Sequence, residues 1–200
     1  MADPIDFYFD FASPYGYFAS LRIDALAAKY DRAVTWRPIL LGAIFKVTGM
    51  KPMLSQPLRG DYLAHDVGRI ARLTDVPFTF PEVMPVNGLA ASRAFWWLTD
   101  EHPEQAKLLA RTLYASHWAE GQDIGPADRV VEIAARLGHD RAAVAAALQD
   151  EGVKLRLREE VDAALARGVF GSPFFIVDEE PFWGWDRLDM LERWLDTGGW

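Results

Sequence analysis

Two Ser-Pro steps stand where apolar runs meet turns, and both could carry chemistry. The first lies in Phe9-Asp10-Phe11-Ala12-Ser13-Pro14-Tyr15, where an aromatic run ends and a helical pattern begins. Ser at the N-cap and Pro at the first helical position serve the backbone by themselves. A helix start also offers free N–H groups and the positive end of the dipole, so it suits an anion such as a thiolate, with the Ser13 hydroxyl as an added donor. The two roles are compatible. The second step lies in Gly168-Val169-Phe170-Gly171-Ser172-Pro173-Phe174-Phe175, where a helix stop precedes a strand. Pro at the first residue of a strand is ordinary punctuation. A cis Ser172-Pro173 bond would instead turn the Ser172 backbone polar groups out beside the sheet, and the sequence does not separate cis from trans.

Other chemistries lack their residues. The chain has no cysteine, which removes disulfides, thiolate metal sites and any protein-borne thiol chemistry; a thiol would have to arrive on a cofactor. His65, His102, His117 and His139 are scattered with no metal-ligand spacing, and read as surface or helix-end residues. No phosphate-cradling glycine motif and no nucleophile elbow is present. The adjacent pairs Glu159-Glu160 and Glu179-Glu180 read as solvated charge.

The elements that must position the Ser-Pro steps follow from periodicity. Ile5–Phe9 and Val34–Leu40 read as strands, with an amphipathic helix over 14–29 between them, so the front is βαβ with parallel strands. From about Gly42 the pattern becomes helical, at roughly 60–74, 88–101, 103–120, 126–137, 140–150 and 153–167. Phe174–Val177 and Pro181–Trp183 then form two short strands before a last helix over about 186–195. Both ends therefore supply strands to one mixed sheet, a pattern compatible with a thioredoxin-like α/β fold carrying a helical insertion. The expected division is a βα domain of residues 1–40 and 155–200 around an inserted helical domain of 41–154.

With 200 residues, half of them hydrophobic, the chain can bury about 70% of its extended surface in a substantial core. A net charge of −8 with no Lys/Arg-rich run argues against nucleic acid or anionic lipid as a partner. Met1-Ala2-Asp3-Pro4 lacks the character of a signal peptide, and no apolar run is long enough to span a bilayer, so the expectation is a soluble, cytoplasmic protein without a membrane partner.

Several segments carry a family resemblance in the same order along the chain. Asp6-Phe7-Tyr8-Phe9-Asp10-Phe11, Ser13-Pro14-Tyr15, Leu41-Gly42-Ala43, Val169-Phe170-Gly171-Ser172-Pro173 and Trp183-Gly184-Trp185-Asp186-Arg187-Leu188 with Met190-Leu191-Glu192 resemble the 2-hydroxychromene-2-carboxylate isomerase family. That family stands with the kappa-class glutathione transferases in the DsbA-like branch of the thioredoxin fold. The resemblance spans about Ile5 to Leu195. It implies a glutathione-dependent cis–trans isomerase of aromatic catabolism, acting on a small aromatic carboxylate by reversible thiolate addition. Ser13 occupies the position of a reactive cysteine in DsbA, and the absence of cysteine fits the serine-bearing, glutathione-using branch.

By matching position, Ser13 would hold the glutathione thiolate and Ser172 before Pro173 would meet the glutathione backbone. Trp183, Gly184, Trp185 and Asp186 would meet its γ-glutamyl end, although Asp186 also suits the N-cap of the last helix. Asn87 is a substrate contact by the same comparison and equally a helix cap. Met50 stands where kappa-class relatives carry a glutathione-contacting Asn, which weakens that contact. Lys46, Lys51, Arg59 and Arg93 are unranked candidates for the substrate carboxylate. Trp96, Trp97 and Trp118 read either as an aromatic cleft or as core. A homodimer is implied by the family. A kappa-like transferase or peroxidase, and a non-catalytic thioredoxin-like binding module, are the alternatives.

Overall fold

The structure, a computed structural model, describes residues 3–200, so Met1 and Ala2 of the leader reading lie outside the described residues. Its centre is β1 (Ile5–Phe9), buried along its whole length. A strand buried on both faces needs cover on both. On one face Phe7 and Phe9 stack at 5.1 Å, Phe7 stacks on Phe175 at 5.3 Å, and Trp36 meets Phe7 edge-on at 5.1 Å. Aromatic pairs of this kind add about 0.5–1.5 kcal/mol each beyond area burial. Asp6 and Tyr8 point to the opposite face, because strand side chains alternate. There Arg37 donates from Nε to Asp6 at 2.7 Å, and Arg167 donates to both Asp6 and the Tyr8 hydroxyl.

The sheet order is β2-β1-β3-β4. β2 (Val34–Pro38) pairs parallel with β1, Ile5 opposite Val34 and Phe9 opposite Pro38. β3 (Phe174–Val177) pairs antiparallel with β1, and β4 (Glu180–Trp183) antiparallel with β3. A two-residue turn joins the last pair, Asp178 and Glu179 both taking positive φ (51° and 63°), the geometry that matches strand twist. Arg32 holds Asp178 at 2.6 Å.

The crossover from β1 to β2 is α1 (Pro14–Ser20) and α2 (Ile23–Ala28). Between β2 and β3 run α3 (Leu41–Thr48), α4 (Arg59–Thr74), α5 (Leu89–Thr99), α6 (Pro103–Tyr114), α7 (Ala127–Arg136), α8 (Arg141–Ala147) and α9 (Glu151–Ala166). α10 (Leu188–Thr197) closes the chain. One contiguous hydrophobic cluster runs from Ile5 through the helices to Leu191. The division expected at 154/155 falls within α9, which lies along the Asp6 face through Glu160, 3.2 Å from Arg37.

Three elements differ from the sequence expectation. The helix expected over 14–29 is broken at Leu21 and Arg22, where the Arg22 N–H bonds the Ala19 carbonyl in a tighter turn. No Gly or Pro marks the break. The helix expected over 103–120 ends at Tyr114 and continues as a π-helical turn, Ala115–Ala119. α3 was not expected, because its N-cap, Leu40, offers no capping side chain.

Gly16 is where α1 packs closest to the rest of the fold. A Cβ there would sit 2.5 Å from the Tyr114 hydroxyl and 3.0 Å from Ser172 Oγ. Gly16→Ala is therefore expected to lower stability by about 1–3 kcal/mol through overpacking, even though Ala is better than Gly in a helix by about 1 kcal/mol. Denaturant unfolding checks this; an unchanged or raised midpoint would show that the junction yields.

Candidate functional site

The end of β1 runs into a turn that Asp10 organises. Its carboxylate is 5% exposed and accepts the Ala12 N–H at 2.8 Å on one oxygen and the Leu41 N–H at 2.6 Å on the other. The second bond supplies from a distance the cap that Leu40 does not give α3. The Asp10 carbonyl accepts the Ser13 N–H at 2.9 Å and the Tyr114 hydroxyl at 2.9 Å, and its own N–H donates to Ser172 Oγ at 2.9 Å. Burial pushes the Asp10 carboxyl up to about 6, with the two backbone N–H groups opposing that rise. The π-helical turn contributes a neighbouring anchor: the Trp118 indole donates to the Phe11 carbonyl at 3.0 Å.

Ser13 stands at the N-cap of α1, with Pro14 in the first turn. Its hydroxyl oxygen accepts the Gly16 N–H at 3.0 Å and its proton goes to the Ser172 carbonyl at 2.8 Å. The two Ser-Pro steps, 159 residues apart, are thus in direct contact. The Ser172-Pro173 bond is cis. The Pro173 carbonyl accepts the Gly184 N–H at 3.0 Å, which brings the Trp183–Asp186 segment to the same junction.

Trp183 is half-exposed and packs edge-on against Phe170 at 4.7 Å. Gly171 permits that approach, since a Cβ there would lie 2.3 Å from the Trp183 indole nitrogen. Gly184 takes φ 114°, a conformation that favours glycine, and turns the chain into a short helical turn over Trp185–Arg187. Asp186 is not the cap of the last helix: Arg187 holds that position, and the Asp186 carboxylate is exposed and, among the described residues, paired with Arg187 at 3.0 Å. Trp185 lies under Arg22, 5.6 Å from the ring, and its buried indole N–H has no partner. Tyr15 in the first turn of α1 donates to Asp66 of α4 at 2.9 Å; burial, that bond and the charges of Asp66 and Asp186 raise its hydroxyl pKa.

The remaining candidates are placed less centrally. Asn87 is exposed in the lead-in to α5, where its side chain accepts the Leu89 N–H at 3.1 Å; the adjacent Gly88 packs against Asp10 and Phe11. Met50 follows the far end of α3, whose axis runs about 11 Å from Leu41 to Thr48. Lys46 lies in the last turn of α3, Lys51 just beyond it, and Arg59 opens α4, donating to Gln56 at 2.8 Å, whereas Arg93 donates to the Leu148 carbonyl at 3.0 Å. Trp118 is core, and Trp96 and the half-buried Trp97 line a surface cleft against the start of α9, bounded by Asp150, Val153 and Arg156 and away from the Ser13 junction. His117 is fully buried rather than at the surface, held by the Gln122 carbonyl at 2.8 Å, and burial lowers its pKa. Asp10, Tyr15, Asp66 and Tyr114 were not singled out from the sequence. The one local signal was that the first apolar run stops at Asp10.

The DsbA-like thioredoxin domain family matches residues 4–196. The chain belongs to that family. Within the DsbA-like group its full-length similarity is to isomerases: it is 32% identical over 190 residues to the 2-hydroxychromene-2-carboxylate isomerase of Pseudomonas putida, covering 94% of this chain and 92% of the relative. A solved 2-hydroxychromene-2-carboxylate isomerase superposes with a TM-score of 0.87 at 30% identity, covering 96% of this chain and 94% of the other. Human glutathione S-transferase kappa 1 is 26% identical over 208 residues, covering 96% and 92%. This DsbA-like protein is thus a member of the isomerase group, and its relatives include kappa-class transferases. No helix among its described residues is long and apolar enough to cross a membrane.

The buried carboxylate makes stability pH-dependent in a defined direction. The folded value of about 6 lies above the ordinary 3.8, so ionised Asp10 costs about 3 kcal/mol above pH 6, and the cost fades as pH falls toward 4. Relative to Asp10→Asn, the wild type should gain about 2 kcal/mol between pH 7 and pH 4. Denaturant titrations of both proteins at the two pH values measure this. A pH-independent difference would contradict it.

Proposed function

We propose that the chain is a glutathione-dependent cis–trans isomerase converting 2-hydroxychromene-2-carboxylate to trans-o-hydroxybenzylidenepyruvate. One observation carries the reading: in a chain without cysteine, the Ser13 hydroxyl at a helix start meets the Ser172 carbonyl 159 residues away, and an exposed Asp186 carboxylate stands at the same junction. That donor set fits a tripeptide thiol. A hydroxyl and the positive end of α1 face the sulfur, backbone polar groups face the peptide, and a carboxylate faces the ammonium group. The full-length likeness to the Pseudomonas putida isomerase supports the substrate. When bound, glutathione supplies a thiolate whose reversible addition to a conjugated carbonyl turns a double bond into a rotatable single bond.

In this reading each residue has one task. The Ser13 hydroxyl holds the sulfur. To do so it must release the Ser172 carbonyl, and a ligand N–H placed on that carbonyl would free it, while the Ser13 oxygen keeps the Gly16 N–H. Ser172 and Pro173 present the backbone edge, Trp183 and Gly184 flank the peptide, and Trp185 and Asp186 receive the γ-glutamyl end. Asn87, across the Asp10 turn, meets substrate. Met50 offers a thioether where kappa relatives have an amide, and its distance along α3 makes it the weakest member of the set. The 26% identity to the human kappa enzyme favours a second reading, a glutathione transferase or peroxidase; accumulation of a glutathione adduct in place of a rearranged product would select it. A cytoplasmic location and a homodimer belong to the same proposal.

Ser13→Ala separates capping from catalysis. Loss of the cap alone costs about 1 kcal/mol of stability. Loss of a hydrogen bond to a charged sulfur, worth about 1.5–3 kcal/mol, lowers turnover roughly 10- to 150-fold. Absorbance assays with and without glutathione read this. Unchanged turnover with a lower melting temperature would leave Ser13 a cap, and turnover without glutathione would overturn the proposal. Light scattering at micromolar concentration should give twice the mass of one chain; the mass of a single chain would contradict the dimer.

A further inference from the structure

We infer that the ionised Asp10 carboxylate is the positioning residue of this site, fixing the Ser13–Ser172 contact by holding the Ala12 and Leu41 N–H groups at one point. The ligand in this inference rests on the glutathione reading above; the coupling inside the protein does not.

Each carboxylate oxygen faces a donor from a different segment: Ala12 in the turn before α1, and Leu41 at the start of α3. An ionised carboxylate accepts both. A neutral acid makes one of its two oxygens a hydroxyl, a poorer acceptor, and an amide replaces it with a donor, so the first weakens and the second loses one of these partners. The backbone of the same residue grips Ser172 Oγ, the Ser13 N–H and the Tyr114 hydroxyl, so any shift of Asp10 is passed directly to both serines. No Lys, Arg or His partners the carboxylate among the described residues. The ionisable group that faces it is Tyr114 of α6, whose own pKa burial and the Asp10 charge push well upward; α3 and the Gly88 lead-in to α5 present backbone only. A charge kept in a dry site without a cation marks a functional constraint more often than a structural one, because burial alone disfavours it.

The test follows the wild-type protein by amide resonances from pH 8 to pH 4 and, in parallel, measures S-methylglutathione affinity by calorimetry. That probe has no titratable sulfur, so its affinity reads geometry. The amides of Ala12, Leu41, Ser13 and Ser172 should move together with a midpoint near pH 6. The affinity should fall about tenfold over the same range. Asp10→Asn should bind more weakly at neutral pH and show a flat profile. Movement of Ala12 and Leu41 without the two serines would overturn the inference. So would a pH profile that Asp10→Asn shares with the wild type. If S-methylglutathione binds neither protein, the glutathione reading fails, and the amide titration alone decides: concerted movement sustains the positioning role and its absence overturns it.

Discussion

A buried carboxylate, with a backbone N–H on each oxygen and no cation beside it among the described residues, is the constraint on which the site depends. Asp10 ends the central strand, caps α3, shapes the turn into α1 and touches the loop before β3. These contacts join parts of the chain that are distant in sequence. Remove the charge and one buried N–H group is left with a poorer acceptor. The cost of burying that charge is borne by the aromatic packing around β1, where Phe7, Phe9, Trp36 and Phe175 form a continuous ring cluster.

The junction built on Asp10 has a definite polarity. The start of α1 and the Ser13 hydroxyl suit an anion, while Asp66 and Asp186, on the far side of Tyr15, suit a cation. The proposed glutathione ligand matches that polarity, with its thiolate at one end, its ammonium group at the other and peptide atoms between them for the Ser172 backbone. The opposite face of the sheet is structural. There Asp6, Arg37, Glu160 and Arg167 form an ion-pair network that ties α9 to β1.

The strands were legible because apolar β-branched and aromatic runs bounded by turn residues have few other solutions: β1 and β3 fall where the runs Ile5–Phe9 and Phe174–Val177 predicted. Ser13 and Ser172 were legible as positions, since Ser-Pro at an element boundary has a local meaning. Their contact was not, because it is made by folding the two ends of the chain onto one sheet. α3 and Asp10 were missed for a single reason. The cap of α3 lies 31 residues away, and neither Leu40 nor its neighbours advertise a helix start. Trp118, read as cleft or core, is core, and so is Tyr114, which the sequence did not single out; each also spends its polar atom on a carbonyl of the Asp10-Phe11 turn. Hydrophobic periodicity reports where a ring is buried and is silent about where its donor points.

The account stands or falls on whether the Ser13 end of α1 holds a thiolate. The direct measurement is the ultraviolet absorbance of bound glutathione as a function of pH. A free cysteine-like thiol titrates near 8.5, and a helix start with a hydroxyl donor lowers that value. The expected result is a thiolate that persists on the protein at least one pH unit below the free peptide's midpoint. Titration of bound glutathione at its free value would contradict the account.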